Sequence, residues 1–151
     1  MAAAASQTRT DAGLATELRI SVSRLARRLR AERVARGVAT DLSDTQLAAL
    51  AALERHTAMT PGELAEHEKV QPPSMTRVIA ALQERGLVTR APHPTDGRQV
   101  KLTVTQQGRE LVQQSRRLRE AWLAQRLREL SPEERAALRA AAPILQRLSQ
   151  S

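Results

Sequence analysis

Within seven residues the chain carries an amide, two hydroxyls and a guanidinium: Gln71, Ser74, Thr76 and Arg77. This is the side-chain set that reads a nucleic-acid duplex. A glutamine amide pairs with the edge of adenine, a guanidinium with guanine or phosphate, and a hydroxyl with either. Pro72 and Pro73 lie among them; they remove two amide donors but pre-set the backbone of a first helical turn. Pro73 also offers an apolar surface to thymine methyl groups. A second group follows from Arg90 to Lys101. Arg98 sits at a turn, from which a guanidinium can enter a narrow, electronegative minor groove. Asp96 can steady that guanidinium by a charge-assisted pair, or simply serve the turn, and the two roles are compatible. Gly97 is expected to supply a positive φ, and Arg90 and Lys101 flank the turn within reach of phosphates. The plainer reading of the first group is that Gln71 and Ser74 only cap a helix while Arg77 is a solvated charge.

The rest of the composition narrows the partner. Lys and Arg number 24 against 16 Asp and Glu, a formal charge of +8 that calls for a polyanion. All but two of those cations are arginine, which suits bidentate contacts. Trp122 is the only aromatic residue, so platforms for stacking single-stranded bases are missing. The absence of cysteine excludes disulfides and thiolate metal sites. No apolar run approaches the ~18 residues of a membrane span. Met1 to Gln7 is alanine-rich without the order of a signal peptide, so a cytoplasmic location is expected. The chain has no phosphate-binding glycine loop, dinucleotide glycine pattern, nucleophile elbow or His-Glu-x-x-His, and no enzyme is expected. His56 and the run Glu66-His67-Glu68 offer nitrogen and oxygen donors. Adjacent residues on a helix face different ways, however, so the run does not itself converge on an ion. No metal and no cofactor is expected.

The elements that must position these residues can be read from periodicity. Leu14, Leu18, Val22, Leu25 and Leu29 define one face of a helix from Asp11 to about Arg36, stopped by Gly37. Its arginines, Arg24, Arg27, Arg28, Arg30, Arg33 and Arg36, read as a solvated face. Ser43 with Gln46 and Thr60 with Glu63 are capping boxes that open two further helices. The second of these ends near Glu68, and a turn at Lys69-Val70-Gln71 leads to a helix from Pro72 or Pro73 to Arg85. That helix has Met75, Val78, Ile79 and Leu82 inward. Leu87 to Arg90 and the alternating Gln99 to Thr105 read as two strands joined by a hairpin. A long helix from Gln106 to about Glu129 carries Leu111, Ser115, Leu118 and Trp122 in register, Trp122 reading as core. A last helix opens at Ser131, with Leu138, Ala141, Leu145 and Leu148 on one side and Pro143 expected to bend or fray it.

The order helix, helix, hairpin is that of a winged helix-turn-helix. The fold class expected is mainly α with a small β-hairpin wing. The organisation is a tail over 1–10, an N-terminal dimerisation helix over 11–41, a winged lobe over 42–105 and C-terminal dimerisation helices over 106–151. The apolar faces of the terminal helices need a partner, and a second copy is expected to supply it.

From Leu64 to Leu111 the chain reads LAEHEKVQPPSMTRVIAALQERGLVTRAPHPTDGRQVKLTVTQQGREL. The leucine-alanine start, Thr-Arg in the recognition helix, Leu-x-x-x-Gly-Leu-Val, the Asp-x-Arg wing tip and Thr-x-x-Gly closely resemble the MarR family of bacterial regulators. Pro72-Pro73 departs from the serine-rich helix starts common there. The resemblance implies a dimer built on terminal helices and binding of double-stranded DNA at a palindromic operator. It also implies a repressor, or less often an activator, often relieved by a small anionic or phenolic ligand. An architectural protein that coats DNA by charge, without a ligand, is the alternative.

Overall fold

The computed structural model describes residues 10–38 and 41–151. The chain forms α1 (Asp11–Ala35), α2 (Asp44–His56), α3 (Pro61–His67), α4 (Pro72–Glu84), β1 (Val88–Pro92), β2 (Val100–Val104), α5 (Gln106–Arg128) and α6 (Pro132–Ser149). It divides into two compact units: residues 33–117, and the described residues up to Glu32 together with Leu118–Ser151. The tail expected over 1–10 lies outside the described residues except for Thr10, and Thr10 is a helix cap. Its hydroxyl accepts from the Gly13 amide at 3.1 Å and its carbonyl from Leu14 at 2.9 Å, which satisfies two donors of the first turn.

In the unit 33–117, local chemistry sets the helix ends. The capping boxes of α2 and α3 are both closed. α1 ends in a Schellman motif, with Gly37 at φ +70° and the amides of Gly37 and Val38 returning to the carbonyls of Val34 and Arg33. α4 ends the same way: Gly86 is at φ +69°, and the Leu87 amide binds the Leu82 carbonyl at 3.0 Å. Because Leu87 is committed to that cap, the first strand begins at Val88, one residue later than the sequence suggests. The strands pair antiparallel, Val88 opposite Val104 and Pro92 opposite Val100. Met59, between α2 and α3, exchanges backbone hydrogen bonds with Leu102 at 3.2 and 2.7 Å and so extends the sheet.

The core of this unit is aliphatic. Leu50, Leu53, Leu64, Met75, Ile79, Leu82, Leu102 and Val112 are fully buried, while Val78 is half-exposed. Arg33, expected on a solvated face, is instead 3% exposed, with its guanidinium 3.5 Å from Asp44; a charge removed from water needs such a partner.

The base of the hairpin is clipped at Thr105. Its amide donates to the Leu87 carbonyl at 3.0 Å, its hydroxyl donates to the Gly86 carbonyl at 2.8 Å, and the same oxygen accepts from the Gly108 amide at 3.1 Å. Gly108 then passes so close to Leu87 that a methyl group there would meet the Leu87 carbonyl oxygen and come within 2.8 Å of the Val104 side chain.

In the other unit, Trp122 is half-exposed between two guanidinium groups, Arg28 at 5.7 Å and Arg126 at 5.8 Å from a ring centroid. α6 opens with the expected capping box at Ser131 and Glu134 and continues unbroken past Pro143 to Ser149, so no fray occurs at the proline. Leu14, Val22 and Leu25 of α1 and Leu138, Ile144, Leu145 and Leu148 of α6 remain exposed, Leu148 at 60%.

Gly108→Ala should destabilise the protein by about 1–3 kcal/mol in a denaturant titration, because the obstacle is backbone and cannot yield. Gly97→Ala, with open space around it, should change stability by less than about 0.5 kcal/mol. Glu63 accepts from the Thr60 amide at 2.7 Å and lies 3.5 Å from the Lys101 ammonium. The Thr60 hydrogen bond, the largest effect, holds its carboxyl below the ordinary value of 4.5; burial opposes it, and the Lys101 ammonium adds to the lowering. A depressed carboxyl stabilises fully above its unfolded value and loses that contribution as pH falls through the folded one. Melting temperature should therefore drop between about pH 5 and about pH 3, and Glu63→Gln should drop less over the same window.

Candidate nucleic-acid interface

The surface is built on the helix-turn-helix of α3 and α4. α3 ends at His67, and the chain reverses through Lys69, which takes φ +54°, with the Val70 amide bound to the Ala65 carbonyl at 2.9 Å. Gln71 stands at the head of α4 in extended conformation and makes no side-chain cap. Pro72 and Pro73 have no amide hydrogen, so the first turn of α4 has few donors for a cap to satisfy. The Gln71 amide is thereby left to other partners. Met75, Ile79 and Leu82 anchor the inner side of α4, and Gln71, Pro73, Ser74, Thr76 and Arg77 are all exposed. The Thr76 hydroxyl donates to the Pro72 carbonyl at 2.9 Å, leaving it an acceptor outward. Among the described residues Arg77 has no carboxylate partner, and the Ser74 hydroxyl has no hydrogen bond.

The wing is organised by two side chains. His93 Nδ1 accepts from the amides of Thr95 and Asp96 at 3.2 and 3.3 Å, so His93 is a half-buried turn residue. Asp96 accepts from the backbone amide of Arg98 at 3.1 Å, and its carbonyl accepts from Gln99 at 3.0 Å. Of its two possible roles Asp96 therefore takes the turn; it does not grip the Arg98 guanidinium, which has no ion pair among the described residues. With the turn closed this way Gly97 does not adopt a positive φ, contrary to expectation.

Arg90 and Arg98 come together. With Thr60, Pro61, Gly62 and Gln99 they line an open cleft of about 430 Å³ between the start of α3 and the wing. Lys101, opposite Ala91 in the hairpin, is partly neutralised by Glu63 at 3.5 Å. The lobe thus carries exposed cations on two rigid projections, Arg77 on a helix and Arg90 and Arg98 on the hairpin. Sequence reasoning named His56 and His67 as donors but did not bring them together: His56, the last residue of α2, and His67, the last of α3, meet with their Nε2 atoms 3.2 Å apart. They lie eleven positions apart, and only the packing of the two helix ends joins them.

Comparison with known proteins bears on this lobe and on the whole chain. The family model described as the MarR family matches residues 42–100. An HTH-type transcriptional regulator of Mycobacterium tuberculosis is 51% identical over 136 residues, covering 90% of this chain and 92% of that protein. The HTH-type transcriptional repressor MdtR of Bacillus subtilis is 26% identical over 138 residues, covering 91% and 87%. The crystal structure of Rv1404 from Mycobacterium tuberculosis superposes with a TM-score of 0.83 at 25% identity, covering 95% of this chain and 97% of that one. This chain belongs to the MarR family of HTH-type transcriptional regulators.

Proposed function

We propose that this regulator binds double-stranded DNA sequence-specifically as a homodimer, and that it represses transcription until a small ligand binds. The observation that carries the DNA reading is the pair of uncommitted guanidiniums. Arg77 on α4 and Arg98 on the wing are exposed and lack carboxylate partners among the described residues, in a chain of net charge +8. α4 supplies Gln71, Pro73, Ser74, Thr76 and Arg77 to the major groove. The wing supplies Arg98 to the minor groove, with Arg90 and Lys101 on phosphates and Asp96 shaping the turn.

The dimer reading is supported by the exposed leucines, valine and isoleucine of α1 and α6. Large apolar side chains gathered on exposed helix faces mark a surface for association. Repression is supported by the repressor among the relatives. Ligand relief is supported by a cleft of about 440 Å³ in the winged unit, where Arg85 lies between Asp41, Leu87, Gln107 and Leu111. Arg85 pairs with Asp41 there, and an anionic or phenolate ligand would compete for the same guanidinium.

Fluorescence anisotropy with duplex from the regulator's own upstream region, against random duplex, tests the DNA reading. Selective binding that Arg98→Ala weakens by about 1–3 kcal/mol is the expected result. Equal affinity for both duplexes would overturn it in favour of the architectural alternative. For the assembly, size-exclusion chromatography with light scattering should give a dimer. Leu145→Glu with Leu148→Glu should shift it toward monomer by at least about tenfold in dissociation constant, since each change buries a charge.

A further inference from the structure

We infer that His56 and His67 form a binding site for a single divalent transition-metal ion. The two Nε2 atoms are 3.2 Å apart and the ring centroids 4.9 Å apart. The ring planes are inclined at 70°. Two imidazole nitrogens bound tetrahedrally to one zinc at about 2.0 Å stand about 3.3 Å apart, close to the separation found here. A simple in-line hydrogen bond between the rings would instead hold the centroids about 5.5 Å apart.

The surroundings support this use. Glu68 Oε1 lies 3.1 Å from His67 Nδ1. A carboxylate on the far nitrogen fixes the tautomer that presents Nε2 to a metal and raises the basicity of the ring. The backbone beside His56 is strained: Thr57 takes φ +66° and ψ −52°, with the Ala58 amide bound to the His56 carbonyl at 2.7 Å. A γ-turn of that hand is rare and costly, and such strain gathers at functional positions. Lys69, two residues beyond His67, is the other non-glycine residue with positive φ among those described. Both histidines are exposed, and no third histidine or carboxylate completes a set among the described residues. The ion therefore keeps water in its remaining positions. Two imidazoles with water suit nickel and zinc. The ion ties the end of α2 to the end of α3, immediately before the turn into α4.

The test uses untagged, chelator-treated full-length protein. Isothermal titration with Ni²⁺ should give one ion per chain with a micromolar dissociation constant. His56→Asn and His67→Asn should each weaken it at least tenfold. Proton NMR of the wild type needs no variant. The chain has three histidines, and Zn²⁺ should move the ring Hε1 signals of two while that of His93 stays in place. Absence of binding up to millimolar metal, unchanged affinity in the double variant, or three unmoved histidine signals would each overturn the inference and leave a hydrogen-bonded pair.

Discussion

The winged lobe depends on a backbone held against a backbone at the foot of the hairpin. The carbonyls of Gly86 and Leu87 both accept from Thr105, one from its hydroxyl and one from its amide, and Gly108 lies against the same peptide. These contacts close a loop that contains both strands and the wing. They also tie the end of α4 to the start of α5, so α4 and the wing share one anchor. Backbone hydrogen bonds and missing side chains cannot adjust by rotamer changes. The distance between the two cationic projections is accordingly set by main-chain geometry, as surfaces that must match a DNA duplex require.

The division of labour among the polar residues follows from that rigidity. Residues that shape the wing spend their hydrogen bonds on the main chain: His93 on the Thr95 and Asp96 amides, Asp96 on the Arg98 amide. Among the described residues, the side chains of Ser74, Arg77 and Arg98, which face outward on α4 and the wing, are left unsatisfied by the fold. Pro72 and Pro73 have the same effect in another way, because they strip amides from the helix start that a side chain would otherwise cap. Water satisfies such groups in the free protein, and exchange for equivalent partners on a ligand then costs little.

How far the sequence discloses all this depends on the range of each interaction. Ser43 with Gln46, Thr60 with Glu63 and Ser131 with Glu134 were legible because a capping box spans four residues and carries its own chemistry. Gly37 and Gly86 were legible for the same reason, as was the strand alternation from Gln99 to Thr105. Gly97 was misjudged because two turn chemistries suit Asp-Gly, and the choice was made by the Asp96 side chain and the Gln99 amide. Arg33 was misjudged because helical periodicity does not reveal Asp44, which enters from the next helix. Thr10 was missed because the alanine-rich residues before it set the expectation of a tail. The His56–His67 contact was out of reach, since it exists only where two helix ends converge. The candidate interface was legible as a set of residue types at turn and helix-start positions, but not which hydroxyl or carboxylate the fold would use itself.

Trp122 carries a consequence for spectroscopy. It is the only aromatic residue in the chain, and it sits outside the winged unit, between Arg28 and Arg126. Ultraviolet-excited emission therefore originates from a single indole among the terminal helices. Its colour and intensity respond to the electric field of two guanidiniums and to the water reaching a half-exposed ring. The chain thus carries a reporter of its own terminal helices, and any event that changes the water or the charge around that ring shifts the emission.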